Sequence, residues 1–186
     1  MSVALKLDQR YTYADLQNWP EDERWELLDG TPYLMASPNL KHQDIALNLG
    51  AEFRAYLRGK TCKAIISPID VRLNADKGDD SVVQPDLLVV CDPDKLADGK
   101  TVKGAPDLVV EILSPSNSGR DRTKKFQKYR DAKVKEIWFI DPDDGVIEVF
   151  IKLDDDKYSV DFYGAEDMVP VDILPGFEIN MKDIFQ

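Results

Sequence analysis

Two stretches of the sequence read alike: Pro85-Asp86-Leu87-Leu88-Val89-Val90 and Pro106-Asp107-Leu108-Val109-Val110-Glu111. Both are apolar runs of the kind that form buried strands, and both carry acids. Glu111 is the informative one, because it stands between Val110 and Ile112 inside the run. A carboxylate there is costly unless it is paired, hydrogen-bonded or metal-bound, and without a partner it would take up a proton. Asp107, four residues back on the same strand, is ~13 Å away at the rise of an extended chain, too far to share one ion. The expected partner is therefore Asp86, brought alongside by a strand, a connector and a return strand. Two carboxylates on adjacent strands suit a hard, oxygen-preferring cation such as Mg²⁺, with Mn²⁺ as the alternative. Such an ion polarises a phosphate, activates a water and stabilises the leaving oxygen. The structural alternatives are a turn-capping role for Asp86 and a buried ion pair for Glu111.

A third element follows Glu111. Arg120-Asp121-Arg122-Thr123-Lys124-Lys125-Phe126-Gln127-Lys128-Tyr129-Arg130 reads as a helix with Phe126 and Tyr129 on its apolar face. At ~100° per residue Lys125 falls at the edge of that face and Arg122 on its inner side, whereas Lys124 and Lys128 point away, toward solvent. Lys125 can thus reach the sheet, where it would orient a water or offset charge on the transition state; the alternative is an ordinary solvated lysine. His42 is the only histidine. It shares a helix face with Ala46, Leu49, Phe53 and Leu57, and reads as a packed, hydrogen-bonded residue, not a ligand.

The elements that must position these residues follow from patterning. Thr12 caps a short helix, Tyr13 to Asn18. Asp29-Gly30 joins two β-rich arms into a hairpin, and Ser37-Pro38-Asn39 opens a helix to about Arg58. Strands are expected at Lys63 to Leu73, Gln84 to Cys91, Asp107 to Leu113, Glu136 to Ile140, Val146 to Lys152, Tyr158 to Tyr163 and Met168 to Ile173. Ser114 to Gly119 is a loop with Ser and Asn available for capping, and a last helical turn lies near Met181 to Phe185. The helix between the Asp107 and Glu136 strands implies a parallel pair. The class is α/β or α+β, with a mixed sheet flanked by helices.

With 186 residues the chain is the size of one domain, 1–186. Its net charge of −11 argues against a general nucleic-acid binder, which carries a basic footprint, but not against an enzyme with a cation site. Cys62 and Cys91 are expected as two buried reduced thiols. The opening MSVALKLDQR lacks a signal peptide's apolar core, and no apolar run reaches the ~20 residues of a membrane helix. A cytoplasmic setting is expected.

Pro85-Asp86, Glu111-Ile112-Leu113, Asp121-Arg122 with Lys125-Phe126 and Tyr129, Glu136-Ile137-Trp138 and Asp141-Pro142 together resemble the Uma-two family of restriction endonucleases, within the PD-(D/E)XK superfamily. Trp25-Glu26-Leu27-Leu28-Asp29-Gly30, Ser37-Pro38 and His42-Gln43 also match, so the resemblance covers nearly the whole chain. It implies a restriction-endonuclease-like core, extended here by C-terminal antiparallel strands. It implies Asp86 and Glu111 as metal ligands, Glu26 as a further acid facing the same site, and Lys125 in place of the motif lysine, since Leu113 stands where the superfamily has Lys. The implied activity is Mg²⁺-dependent hydrolysis of DNA; a nuclease-fold binding or assembly module, and a metal-dependent hydrolase of another substrate, are the alternatives. A cut across both DNA strands suits a homodimer, with the C-terminal strands as a dimer edge.

Overall fold

The computed structural model describes residues 8–114, 119–154 and 157–186. Helix α1 (Tyr13–Leu16) leads into the hairpin strands β1 (Trp25–Leu28) and β2 (Thr31–Leu34), then the long helix α2 (Leu40–Tyr56). Strands β3 (Lys63–Ile66), β4 (Val71–Arg72), β5 (Val82–Val83) and β6 (Leu87–Val90) follow. A 3₁₀ turn (Pro93–Leu96) and β7 (Val102–Lys103) connect to β8 (Leu108–Ile112), α3 (Gly119–Asp131) and β9 (Glu136–Asp141). Strands β10 (Val146–Lys152), β11 (Tyr158–Gly164), β12 (Met168–Pro170) and β13 (Glu178–Asn180) precede α4 (Met181–Ile184).

The central sheet has six strands in the order β11-β10-β9-β8-β6-β3. It is antiparallel except at β8 and β9, which pair in parallel on either side of α3, as the crossover requires. Strands β6 and β8 are buried at every position, because each face of the sheet is covered. Leu87, Val89, Leu108, Val110 and Trp138 pack with Ile45, Leu49 and Phe53 of α2. The alternate residues, Leu88, Val90, Val109, Ile137 and Phe139, pack with Tyr129 of α3 and with Leu28, Val71 and Val83. That is the period of two expected of a strand buried on both sides. Each such aliphatic side chain stabilises the fold by about 1.5–3 kcal/mol. Glu111 has the parity of Val109, and so points to the α3 side.

The residues packing with α3 include those of a second sheet, of five strands in the order β2-β1-β5-β4-β7, where the sequence suggested a single mixed sheet. The expected strand Lys63 to Leu73 breaks at Ser67-Pro68, a cis peptide, and its halves become β3 in one sheet and β4 in the other. Pro85 likewise separates β5 from β6; proline has no N–H to donate to a ladder, so the chain changes sheets there. At the C-terminus β12 ends at Pro170, and an unforeseen β13 pairs with it as a separate two-stranded ribbon.

Local signals behave as their chemistry dictates. Asp15 accepts from both Thr12 N (2.8 Å) and Thr12 Oγ1 (2.9 Å) at the start of α1. Asn39 caps α2 by accepting from His42 N at 2.9 Å, which fixes His42 in the first turn. Asp29 and Gly30 both have left-handed φ, +50° and +71°, the conformation of the tight hairpin turn. Of the loop expected between β8 and α3, residues 115–118, which include its Asn and two of its Ser, fall outside the described residues.

Cys62 and Cys91 form a disulfide, in place of the two reduced thiols expected. The reason is register: β3 pairs antiparallel with β6, Lys63 facing Val90, so the next residues outward stand opposite one another. Among the described residues no helix is long and apolar enough to cross a membrane.

Candidate functional site

The β6–β8 register builds the first half of the site. Leu87 faces Val110, so one step further along the two strands Asp86 comes beside Glu111. Asp86 is held from two sides on one oxygen: Ile112 N donates to Oδ2 at 2.8 Å, and His42 Nε2 lies 3.2 Å from the same atom. Asp107 is at the other end of β8, where Cys91 N and Lys135 Nζ each donate to it at 2.8 Å.

Helix α3 and the second sheet supply the rest. Lys125 Nζ lies 3.1 Å from each oxygen of Glu111 and 2.8 Å from Glu26 Oε1. Tyr129, one helical turn on, donates its hydroxyl to Glu111 Oε1. Glu26 comes from β1, and its Oε1 also accepts from Gln84 N at 2.8 Å. Gln84 is held in turn by Arg24, whose guanidinium donates to Gln84 Oε1 from two nitrogens (3.0 and 2.8 Å) and to Ser67 Oγ (2.8 Å).

Electrostatics follows from this packing. Burial pushes the Glu111 carboxyl up; Lys125 and Tyr129 oppose the push, Asp86 and Glu26 reinforce it, and it rests at about 7. Burial alone would lower Lys125, but Glu111 and Glu26 outweigh it and hold the ammonium above its ordinary value, so it stays charged. Burial and then the Glu111 charge raise Tyr129 well above the usual phenol range, so it remains a donor. Burial acts to lower His42, but its contact with Asp86 carries it above the ordinary imidazole value.

The four residues singled out in the sequence, Asp86, Glu111, Lys125 and Glu26, thus come together, and all four line one cavity of about 580 Å³ with His42 and Gln84. Glu26 takes Lys125 as its cation, not its neighbour Arg24. Tyr129 read only as part of an apolar helix face; its spacing of four from Lys125 was the available signal. His42 is buried, 8% exposed, but its partner is a site carboxylate and its Nδ1 has none among the described residues. Lys124 and Lys128, expected in solvent, are both bound by the β1–β2 hairpin, which packs against α3: Lys124 donates to Tyr33 OH at 2.6 Å and Lys128 to Asp29 at 2.7 Å. Arg122 turns inward as expected, pairing with Glu148 and lying 5.0 Å from the centre of the Phe139 ring.

The donor set is carboxylate oxygen, which suits a hard divalent cation. Among the described residues no group of three or more His, Cys, Asp or Glu is disposed to hold an ion. Two adjacent carboxylates with water filling the remaining positions is nonetheless the way Mg²⁺ is commonly bound, so Asp86 and Glu111 fit such an ion in kind and number.

A protein of Anabaena variabilis, described as a "putative nuclease belonging to DUF820", has a crystal structure similar to this fold, with a TM-score of 0.76 at 20% identity, covering 94% of this chain and 97% of that one. Two Synechocystis sp. proteins are similar in sequence. "Uncharacterized protein slr1290" is 30% identical over 154 residues, 80% of this chain and 78% of its own. "Uncharacterized protein sll1609" is 27% identical over 121 residues, 64% of this chain and 67% of its own. The model of the Uma2 family, described as "Putative restriction endonuclease", matches residues 12–182. With nearly its whole length matched, the chain belongs to the Uma2 family of restriction-endonuclease-like proteins.

Proposed function

We propose that this chain is an endonuclease hydrolysing DNA phosphodiester bonds with the aid of Mg²⁺ or Mn²⁺, and that it works as one domain. Asp86 and Glu111 would hold the cation, and Lys125 and Glu26 complete the site. The observation that carries this reading is the β6–β8 register, which sets two carboxylates side by side within reach of a buried lysine. When bound, the cation would supply Lewis-acid polarisation of the phosphate and activation of a water. The chain's own groups position the parts. Ile112 N and His42 occupy Asp86 Oδ2, so Oδ1 is the atom that remains for the cation. Tyr129 orients Glu111. Lys125, kept charged between its two carboxylates, is no general base at rest; its ammonium orients the attacking water or offsets charge on the phosphoryl oxygens.

A second reading is a catalytically weak nuclease-fold binding or assembly module. Leu113 at the usual motif-lysine position, the net charge of −11, and the engagement of both Glu111 oxygens by Lys125 favour it. A metal-dependent hydrolase of another phosphate ester is the third. The homodimer belongs to the leading reading: among the described residues β11 pairs only with β10, and its Val160 and Phe162 are exposed, so a second copy can extend the sheet across it. The leading reading also expects a cytoplasmic setting, against which the Cys62–Cys91 disulfide stands, since such bonds are rare in reducing compartments. The test is cleavage of circular and linear DNA, each offered both single-stranded and duplex, in Mg²⁺. Wild type should cut, and Asp86→Asn should not, while keeping its circular dichroism spectrum; equal cleavage by the two refutes the assignment.

A further inference from the structure

The cavity has an apolar side that phosphodiester chemistry alone does not require. Leu34, Leu47 and Ile66 are 59%, 64% and 49% exposed, yet all three line the same cavity as Asp86, Glu111 and Lys125. They come from three separate elements: the end of β2, the middle of α2 and the end of β3. Met35, Pro38 and Pro68 extend the wall between them. A Cβ added at Gly50 of α2 would lie 3.1 Å from Ile66 Cγ2, so β3 and α2 meet closely and the wall is continuous at that point. Large aliphatic side chains left in solvent around a polar centre mark a place where something apolar docks.

Two cations of the same cavity are paired with carboxylates, Arg122 with Glu148 and Lys125 with Glu26 and Glu111; Arg24 is held by the neutral Gln84 and Ser67, so its charge is left for a single phosphate and not for two tracks. A duplex presents two phosphate tracks, with its bases stacked inside, and is bound chiefly by cations that follow those tracks. An unpaired strand presents one track and free base faces, which pack on aromatic or apolar side chains.

Resting on the nuclease reading of this site, we propose that its substrate is unpaired DNA, with a nucleobase lodged against the Leu34–Leu47–Ile66 wall while the adjoining phosphate meets Asp86, Glu111 and Lys125. Selectivity then comes from strand accessibility more than from base sequence.

The test is fluorescence anisotropy with the full chain carrying Asp86→Asn, using a fluorescein-labelled oligonucleotide either single-stranded or closed into a hairpin duplex of the same sequence. The single strand should bind roughly tenfold more tightly, the scale of burying ~55 Å² of apolar surface between one base and the wall. Adding Leu47→Ser and Ile66→Ser should remove most of that advantage and leave duplex binding unchanged; both sites are exposed, so the thermal transition should not move. Equal or tighter duplex binding, or an equal loss on both probes, overturns the proposal. So does a double substitution that dissociates a dimer without changing DNA binding, because the wall is then an interface between copies. Failure to bind either probe overturns it as well. Cleavage by wild type separates the two ideas. Wall-dependent binding of the single strand with neither DNA cut sinks the nuclease reading alone, whereas cutting of duplex in preference to single strand sinks the unpaired-strand proposal alone.

Discussion

Replacing Lys125 with methionine keeps an unbranched side chain only one heavy atom shorter and removes one positive charge from between two buried carboxylates. The ammonium lies 2.8 Å from Glu26 and 3.1 Å from both oxygens of Glu111, and cutting one partner out of a buried ion pair costs about 3–5 kcal/mol. The structure adds a pH signature. Glu111 sits at about 7 in the fold against an ordinary 4.5. A carboxyl raised on folding binds its proton more tightly in the folded state, so stability is highest below the ordinary value and falls as pH rises toward 7, by on the order of 3 kcal/mol at 1.36 kcal/mol per unit. At pH 5.5 most Glu111 in the folded wild type is already neutral, and Lys125 neutralises mainly Glu26. The cost of Lys125→Met should therefore be about 3–5 kcal/mol at pH 8 and about half that at pH 5.5. Urea unfolding followed by tryptophan fluorescence and circular dichroism at the two pH values measures both numbers, and Glu111→Gln should flatten the dependence between them. A deficit under about 1 kcal/mol, or one that does not change with pH, refutes the reasoning, since an exposed pair behaves that way.

Three other outcomes can be checked without a substrate. Burial acts to raise Asp107, but Lys135 and the Cys91 amide outweigh it and hold the carboxyl below its ordinary 3.8; its contribution is present above that value and lost as pH falls through the depressed one, so Asp107→Asn should lessen the loss of stability on acidification. Gly30 has φ +71°, and a Cβ there would lie 2.8 Å from Arg10 Cβ; Gly30→Ala should cost at least ~1–2 kcal/mol, lowering Tm by roughly 3–8 °C, where an ordinary surface change would leave it in place. If β11 is the dimer edge, light scattering should give twice the 21.1 kDa chain mass, and Phe162→Asp should halve it; a wild-type monomer at micromolar concentration removes the dimer from the account.

What could be read in the sequence depended on whether a residue's chemistry clashed with its surroundings. Glu111 stood out because a charge inside an apolar run demands a partner, and simple strand geometry eliminated Asp107 in favour of Asp86. Asp29-Gly30 fixed the hairpin for the same local reason, as did the helical phase that turned Lys125 inward. Long-range consequences were not legible. Nothing in Lys63 to Leu73 says that its halves join different sheets, because strand periodicity reports a face and not a neighbour. The Cys62–Cys91 bond depends on the register of β3 on β6, which no local pattern sets. Lys124 and Lys128 looked solvated because their partners, Tyr33 and Asp29, lie on a hairpin far away in the chain. Glu26 came from the family resemblance alone, since its own neighbours in β1 do not reveal that Lys125 faces it. Tyr129 was hidden by its ring, whose packing masks what the hydroxyl does.

The most direct test of the central claim is calorimetric titration of Mn²⁺ and Mg²⁺ into the wild-type chain, with Asp86→Asn and Glu111→Gln alongside. Binding of a divalent ion by wild type, lost in both variants that still fold, is the result expected if these two carboxylates form the metal site. Binding that persists in both variants would contradict it, because the ion would then be held elsewhere; no binding at millimolar metal, with or without single-stranded DNA, would leave the binding module as the better reading.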